Sequence, residues 1–282
     1  MTIRIVTDST ADLDPATLER HGIVVVPLNV HLGEQTFLDT VTLTKSDFYL
    51  QMQASQLLPR TSQPSAGAFQ EAYEQIIAQG ETAAIASIHI SSKLSGTVNA
   101  AQTGAGLLTD PPPIVVIDSN STTLGLGNAV LAAAEAAESG ADMDGVRAAC
   151  ISASERTRVL LFVDTLEYLQ KGGRIGRARA FLGTLLRTKP LLELRDGEIE
   201  GIERPRTRQK AIDRLFQTIV RTPHPEHIEI LYGTTPDDAQ SLADRVKAAL
   251  PEIPVGIVQV SSVIGVHTGP AALGASILRL PG

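Results

Sequence analysis

The chain has 282 residues, 43% hydrophobic and 20% charged, enough for a sizeable core in two domains and too apolar for a disordered chain. Its formal net charge of -7 and pI near 5.4 argue against nucleic acid or an anionic membrane as the main partner. One cysteine, Cys150, can form neither an internal disulfide nor a zinc cluster.

The first residues, "MTIRIVTDST", enter a strand at once and show no basic-apolar-small leader pattern. No apolar run reaches the roughly 20 residues that span a bilayer. These features predict a cytoplasmic protein without stable membrane insertion, so any lipid would be a single molecule carried inside. In chain order, "IRIVT" (3–7), "GIVVVPLNV" (22–30), "AAIASIHI" (83–90) and "PIVVID" (113–118) read as strands. Helical patterns lie between them, from Ser65 to Gln79, after Ser95, and over about 123–138. Alternating strands and helices predict a mainly parallel α/β sheet, and near-continuous apolar strands predict helices on both faces.

Beyond residue 155 the pattern changes. "RVLLFV" (158–163) reads as a strand, "DTLEYLQKGGRI" as a short helix, and "ARAFLGTLLRT" (178–188) as another helix. "LLELRDGEIEGIERPR" predicts a hairpin turning at Asp196-Gly197. A helix (207–221), a strand (227–233), a helix (236–249) and a strand (254–262) follow, and "GVHTGPAALGASILRL" reads as a loop running into a last helix. The fold class expected is two α/β domains, the first with a mainly parallel sheet and the second with a mixed sheet. The first would hold residues 1–155 plus the C-terminal helix 268–282, and the second residues 156–267.

Ligands of open α/β sheets sit at the carboxyl ends of strands. Four polar stretches fall there or open a helix: "TDSTADL" (7–13), "RTSQPS" (60–65), "ISSKLSGT" (90–97) and "DSNSTT" (118–123). Each alone reads first as a helix cap; gathered on one sheet edge they suggest a site for a hydrogen-bond acceptor. No glycine-rich nucleotide loop and no G-x-S-x-G elbow is present. His224 and His227 in "HPEH" lack a nearby third ligand, so no metal is expected. His267, bracketed by Gly265 and Gly269, could fill a turn or donate a hydrogen bond to an anion. Basic residues cluster in "KGGRIGRARA" and "ERPRTRQKAIDR", as a solvated face or as the meeting place of an anionic partner.

Five motifs, "DST" (8–10), "TSQPS" (61–65), "SSKLSGT" (91–97), "KGGRI" (171–175) and "HTGPAALG" (267–274), resemble in order and spacing the DegV family of bacterial fatty-acid-binding proteins. The resemblance spans the chain from first strand to last predicted helix. It implies a long-chain fatty acid, palmitate-like or oleate-like, in a tunnel between two α/β domains, with the final helix returning to the first domain. It implies that Thr61, Ser95 and His267 hold the carboxylate, with a backbone N–H from Gly96. It further implies a carrier with no catalysis or cofactor of its own, serving phospholipid synthesis by presenting its acid to a separate ATP-dependent fatty acid kinase that makes an acyl phosphate. Arg174 and Arg206 match the residues that meet this kinase and its phosphate, with Arg204 and Arg208 close neighbours of Arg206. Ala271 stands where the family commonly has glycine.

A buried carboxylate needs hydrogen bonds, and hydroxyls, an imidazole and a helix N-terminus can supply them without a permanently paired cation. A close cation would oppose later phosphoryl transfer by holding the carboxylate. The alternative is a sugar-phosphate isomerase-like enzyme, because "SSKLSGT" also resembles phosphate loops of such domains. It would need a general base such as His89 or His267, and it leaves the other four motifs unexplained. A DNA-associated role is disfavoured by the acidic charge and the lack of a recognition helix.

Overall fold

The computed structural model describes residues 2–55, 58–182 and 188–281. Its first half opens with β1 (Thr2–Asp8), a 3-10 turn (Ser9–Ala11) and α1 (Pro15–Arg20). Next come β2 (Val24–Val26), β3 (Asn29–Leu32), β4 (Gln35–Leu38), α2 (Lys45–Ala54) and β5 (Arg60–Ser62). Then follow α3 (Ala66–Ala78), β6 (Thr82–His89), α4 (Thr97–Gly106), β7 (Ile114–Asp118), α5 (Leu124–Glu138) and α6 (Met143–Arg156). A wholly parallel sheet runs in the order β2-β1-β6-β7. Phe69, Tyr73, Ile76 and Ala101 pack one face of it, and Leu126, Val130, Ala133 and Val146 the other. Both faces being covered explains why its central strands lack polar alternation.

"GIVVVPLNV" is two strands where one was expected. Pro27 has no N–H to continue a ladder, and the chain bends there. β2 stays beside β1, while β3 joins a separate antiparallel sheet, β4-β3-β5. The Leu28 N–H leaves both ladders and donates to Ser9 Oγ at 3.2 Å. Thr61 therefore stands on a strand, one residue out from the turn that Ser65 closes by capping α3 through Ala68 N.

The second half contains β8 (Thr157–Phe162), α7 (Glu167–Lys171), a 3-10 turn (Gly176–Phe181), β9 (Leu191–Arg195) and β10 (Glu198–Glu203). It continues with α8 (Arg208–Val220), β11 (Pro225–Tyr232), α9 (Pro236–Ala249), β12 (Val255–Gln259), α10 (Ser262–Thr268) and β13 (Leu273–Arg279). Its mixed sheet runs β10-β9-β8-β13-β11-β12, with only β11 and β12 parallel. The expected hairpin is present, and Asp196 and Gly197 both take the positive φ that a tight two-residue turn needs, 51° and 79°. Of the helix expected over 178–188, residues up to 181 belong to the 3-10 turn, and 183–187 lie outside the described residues.

The C-terminal helix expected at 268–282 is instead β13, inserted between β8 and β11 of the second sheet. Its first five residues are buried, so the two-residue alternation that marks a strand is missing. The helix that does lie against first-half elements is α10, just upstream. It packs against α2, β3, β5 and the first 3-10 turn, with Val263 and Val266 joined to Leu28, Val30, Phe48 and Tyr49.

Candidate functional site

A cavity of about 910 Å³, counting the part open to solvent, lies where the two halves meet. One wall comes from Leu28, Ile90 and Leu94 of the first half; Leu160, Leu194, Ile199, Val260, Val263 and Leu273 of the second face it. The lining is predominantly apolar, with its hydrogen-bonding groups including Thr61, Ser62, Gln63, Ser95, Arg174 and His267. Of the residues singled out from sequence, Thr61, Ser95, His267 and Arg174 thus share one pocket.

Local structure places each of them. Thr61 is the central residue of β5, and its Oγ1 lies 2.8 Å from His267 Nε2 at the end of α10. The other ring nitrogen of His267, Nδ1, is buried without a hydrogen-bond partner. The ring fits because residue 172 is glycine: a Cβ there would stand 2.3 Å from Nδ1. Burial, and secondarily the Arg174 charge, hold the imidazole down at about 4, so it is neutral at pH 7. Ser95 Oγ lies 2.8 Å from Thr97 Oγ1. Gly96 is the residue from which α4 starts, and no side chain caps that helix. A Cβ on Gly96 would come within 2.7–2.9 Å of the Gln63 amide group, so glycine lets Gln63 lie over the turn.

Arg174 is nearer this site than sequence reasoning expected. Its Nε donates to Leu94 O at 2.9 Å and its Nη1 to Gly172 O at 2.6 Å. The polar end of the pocket therefore contains a fixed cation, contrary to the expected cation-free clamp. Two carbonyls hold the guanidinium, so its position does not depend on a ligand. Beyond His267 a second hollow, open to solvent, is lined by His31, Arg60, Lys171 and Arg174 among others.

Arg206 is not part of the pocket lining. It is exposed between β10 and α8, and among the described residues no ion pair or hydrogen bond holds it. Its neighbours are committed elsewhere. Arg208 bonds Asp238, Asp164, Thr235 and the Ala271 carbonyl, and Arg204 stacks on Phe181 at 4.1 Å.

The loop carrying Ser95 rests on a buried relay. Asp8 Oδ2 accepts from Ile90 N at 2.9 Å and meets His89 Nδ1 at 3.1 Å. His89 Nε2 meets Ser87 Oγ at 2.7 Å, and Ser87 meets the Tyr73 hydroxyl at 2.8 Å. His89 is fully buried and faces Phe69 edge-on, so it is a scaffold residue outside the pocket. Ser91 and Lys93, in the same polar stretch, join the two halves. Ser91 Oγ donates to Gly197 O at 2.8 Å and Lys93 Nζ to Asp196 O at 2.7 Å. Sequence reasoning also missed Gln63 and the partly buried Asp12–Lys45 pair, whose atoms lie 3.2 Å apart. The capping-type signals at Asp12 and Gln63 do not distinguish a turn from a site.

A family model described as "Uncharacterised protein, DegV family" matches residues 2–280. The chain belongs to the DegV family. A DegV domain-containing protein of Streptomyces coelicolor is 38% identical over 278 residues, 98% of each chain. One of Halalkalibacterium halodurans is 35% identical over 277 residues, 97% of each chain. Among solved structures, DegV of Bacillus subtilis, described as a fatty acid binding protein, superposes with a TM-score of 0.90 at 31% identity, covering 99% of this chain and 100% of its own. A Thermus thermophilus DegV protein described by its fatty acid binding gives 0.87 at 34% identity, with the same coverage. A stearic acid-binding protein of Eubacterium ventriosum gives 0.89 at 26% identity, covering 98% of both chains. Among the described residues no group of three or more His, Cys, Asp or Glu is placed to hold a metal, and no helix is long and apolar enough to cross a membrane.

Proposed function

We propose that the protein binds one long-chain fatty acid in the cavity between its halves. The carboxyl group lies at Thr61, Ser95, the Gly96 N–H and His267, and the tail lies against the leucine, isoleucine and valine walls. The observation that carries this reading is the Thr61–His267 contact at the polar end of an otherwise apolar pocket. Fatty acid binding by family members of 26–34% identity supports it. Burying about fifteen methylenes gains on the order of 10 kcal/mol before association costs. Affinity comes from the tail, and the polar end fixes orientation. His267 takes part as a neutral ring, and Arg174 supplies the long-range attraction to a carboxylate.

The protein has no reaction of its own in this reading. It presents the acid to a separate ATP-dependent kinase, which forms the acyl phosphate for lipid synthesis. The solvent-open hollow beyond His267 is where a phosphate donor would approach, past Arg174. Arg206, exposed and uncommitted, is suited to contact the acidic or phosphorylated surface of that partner.

Purified protein, denatured and extracted into organic solvent, should release a long-chain fatty acid detectable by mass spectrometry in near-equimolar amount. An extract without lipid, together with no uptake of added palmitate or oleate, overturns the carrier reading.

A further inference from the structure

Asp39 is a carboxylate that the proposed acyl site does not use. It follows β4, is fully buried, and neither carboxylate oxygen has a hydrogen-bond partner. The hydroxyls of Ser9, in the first 3-10 turn, and Ser262, the first residue of α10, face it closely enough to favour its ionised form, and burial opposes that form more strongly. The charged and titratable groups facing it are Asp12 from the loop after that turn, and Lys45 and Tyr49 from α2. Lys45 Nζ is 3.2 Å from Asp12 and donates to Gln259 O at 2.6 Å, and Asp12 Oδ1 accepts from Ser261 N at 2.7 Å. First-half side chains thus grip the corner between β12 and α10. At the other end of the same short helix is His267.

Two carboxyls, Asp12 and Asp39, share one ammonium at this corner, and burial raises both above the ordinary carboxylate range. Asp12 accepts three hydrogen bonds, one of them from Lys45, and takes up the single ammonium. An ionised Asp39 would add an uncompensated buried charge, which interiors exclude. A protonated Asp39 has an O–H to donate to a serine hydroxyl and removes that excess.

We propose that Asp39 is a positioning residue: enclosed and protonated, it holds the first turn of α10 against the first half, and its ionisation loosens α10 and with it the acyl site. The first part stands on the corner alone; the link to the acyl site rests on the fatty acid reading. Burial raises the enclosed carboxyl to about 6 from the ordinary 3.8, in the direction this requires. A group with a raised value in the closed state stabilises that state at low pH, and the stabilisation is lost as pH rises through about 6. The full titration changes the open-to-closed ratio by about a hundredfold, of which about tenfold falls between pH 5 and pH 8.

Amide hydrogen exchange over residues 259–268 of the ligand-free protein, corrected for the intrinsic pH dependence, reads the opening directly. His267 titrates at the far end of α10 with the opposite sign, but it contributes equally to wild type and Asp39→Asn. The ratio of their opening constants therefore reports Asp39 together with its coupling to Asp12, and it should rise about tenfold from pH 5 to pH 8. A ratio independent of pH overturns the proposal. Ser262→Ala gives a second route that leaves the carboxyl in place: its hydroxyl eases ionisation of Asp39 by hydrogen bonding, so without it α10 should exchange faster than wild type by a factor that grows from pH 5 to pH 8. An equal effect at both pH values also overturns it. The palmitate dissociation rate, compared between wild type and Asp39→Asn, should follow the same pH-dependent ratio. Failure of wild type to bind palmitate would end the carrier reading, while the exchange ratio would still decide the role of Asp39 at the corner.

Discussion

Replacing His267 by glutamine should alter how stability responds to acid before it alters anything else. The imidazole is enclosed beside Arg174 and titrates at about 4 instead of the ordinary 6.5. The unfolded chain therefore takes up a proton that the folded chain refuses. Stability contributed by the neutral ring is complete above pH 6.5 and is lost as pH falls towards 4. The whole loss is ~3 kcal/mol as an upper bound, and about 2 kcal/mol of it falls between pH 7.5 and pH 5. Glutamine keeps a hydrogen-bonding group but cannot titrate. Asp39 works in the opposite sense over the same interval, so the wild-type profile alone does not separate the imidazole from it. The informative quantity is the stability of His267→Gln minus that of wild type, from urea unfolding of delipidated protein followed by circular dichroism. Relative to wild type, the variant should gain about 2 kcal/mol between pH 7.5 and pH 5. A difference that does not change with pH would refute the neutral, enclosed imidazole.

Four further outcomes follow from the geometry. Gly172→Ala puts a Cβ 2.3 Å from His267 Nδ1 and 2.9 Å from the Tyr168 carbonyl oxygen; it should weaken palmitate binding at least tenfold in a direct titration and cost about 1–3 kcal/mol of stability through overpacking. Arg206→Ala should retain bound fatty acid and lose phosphorylation by the kinase, with stability within about 0.5 kcal/mol of wild type, whereas Arg208→Ala, which breaks four contacts, should cost roughly 2–3 kcal/mol in the same unfolding assay. Ser91→Ala removes the buried hydrogen bond to Gly197 O between the halves and should lower stability by about 1 kcal/mol.

Much of the fold was legible because its punctuation is local. Gly80 and the Asp196-Gly197 pair end or turn elements at positive φ, and Ser65 caps the helix it precedes. The errors fall where local signals are silent. β13 is buried at both faces, so "LGASILR" carries no period to separate strand from helix. Pro27 divides an apolar run whose two parts belong to different sheets, a fact settled only by pairing partners. At the site, the grouping of Thr61 with His267, 206 positions apart, came from family resemblance, since no spacing rule links them. The resemblance also marked Arg174, but not its anchoring to Leu94 O and Gly172 O, which follows from how α7 ends. Asp39 was invisible, because a lone Asp after a short strand looks like any turn residue until its burial is known.

The central claim is that the carboxyl of a long-chain acid lies against Thr61 and His267. Palmitate labelled with carbon-13 at the carboxyl reports this directly by NMR. Wild type should give a single bound resonance, displaced from free palmitate. Its position should shift in Thr61→Val and in Ser95→Ala, and stay unchanged in Arg206→Ala. A bound resonance indifferent to Thr61 and Ser95, or no bound resonance at all, would contradict the account.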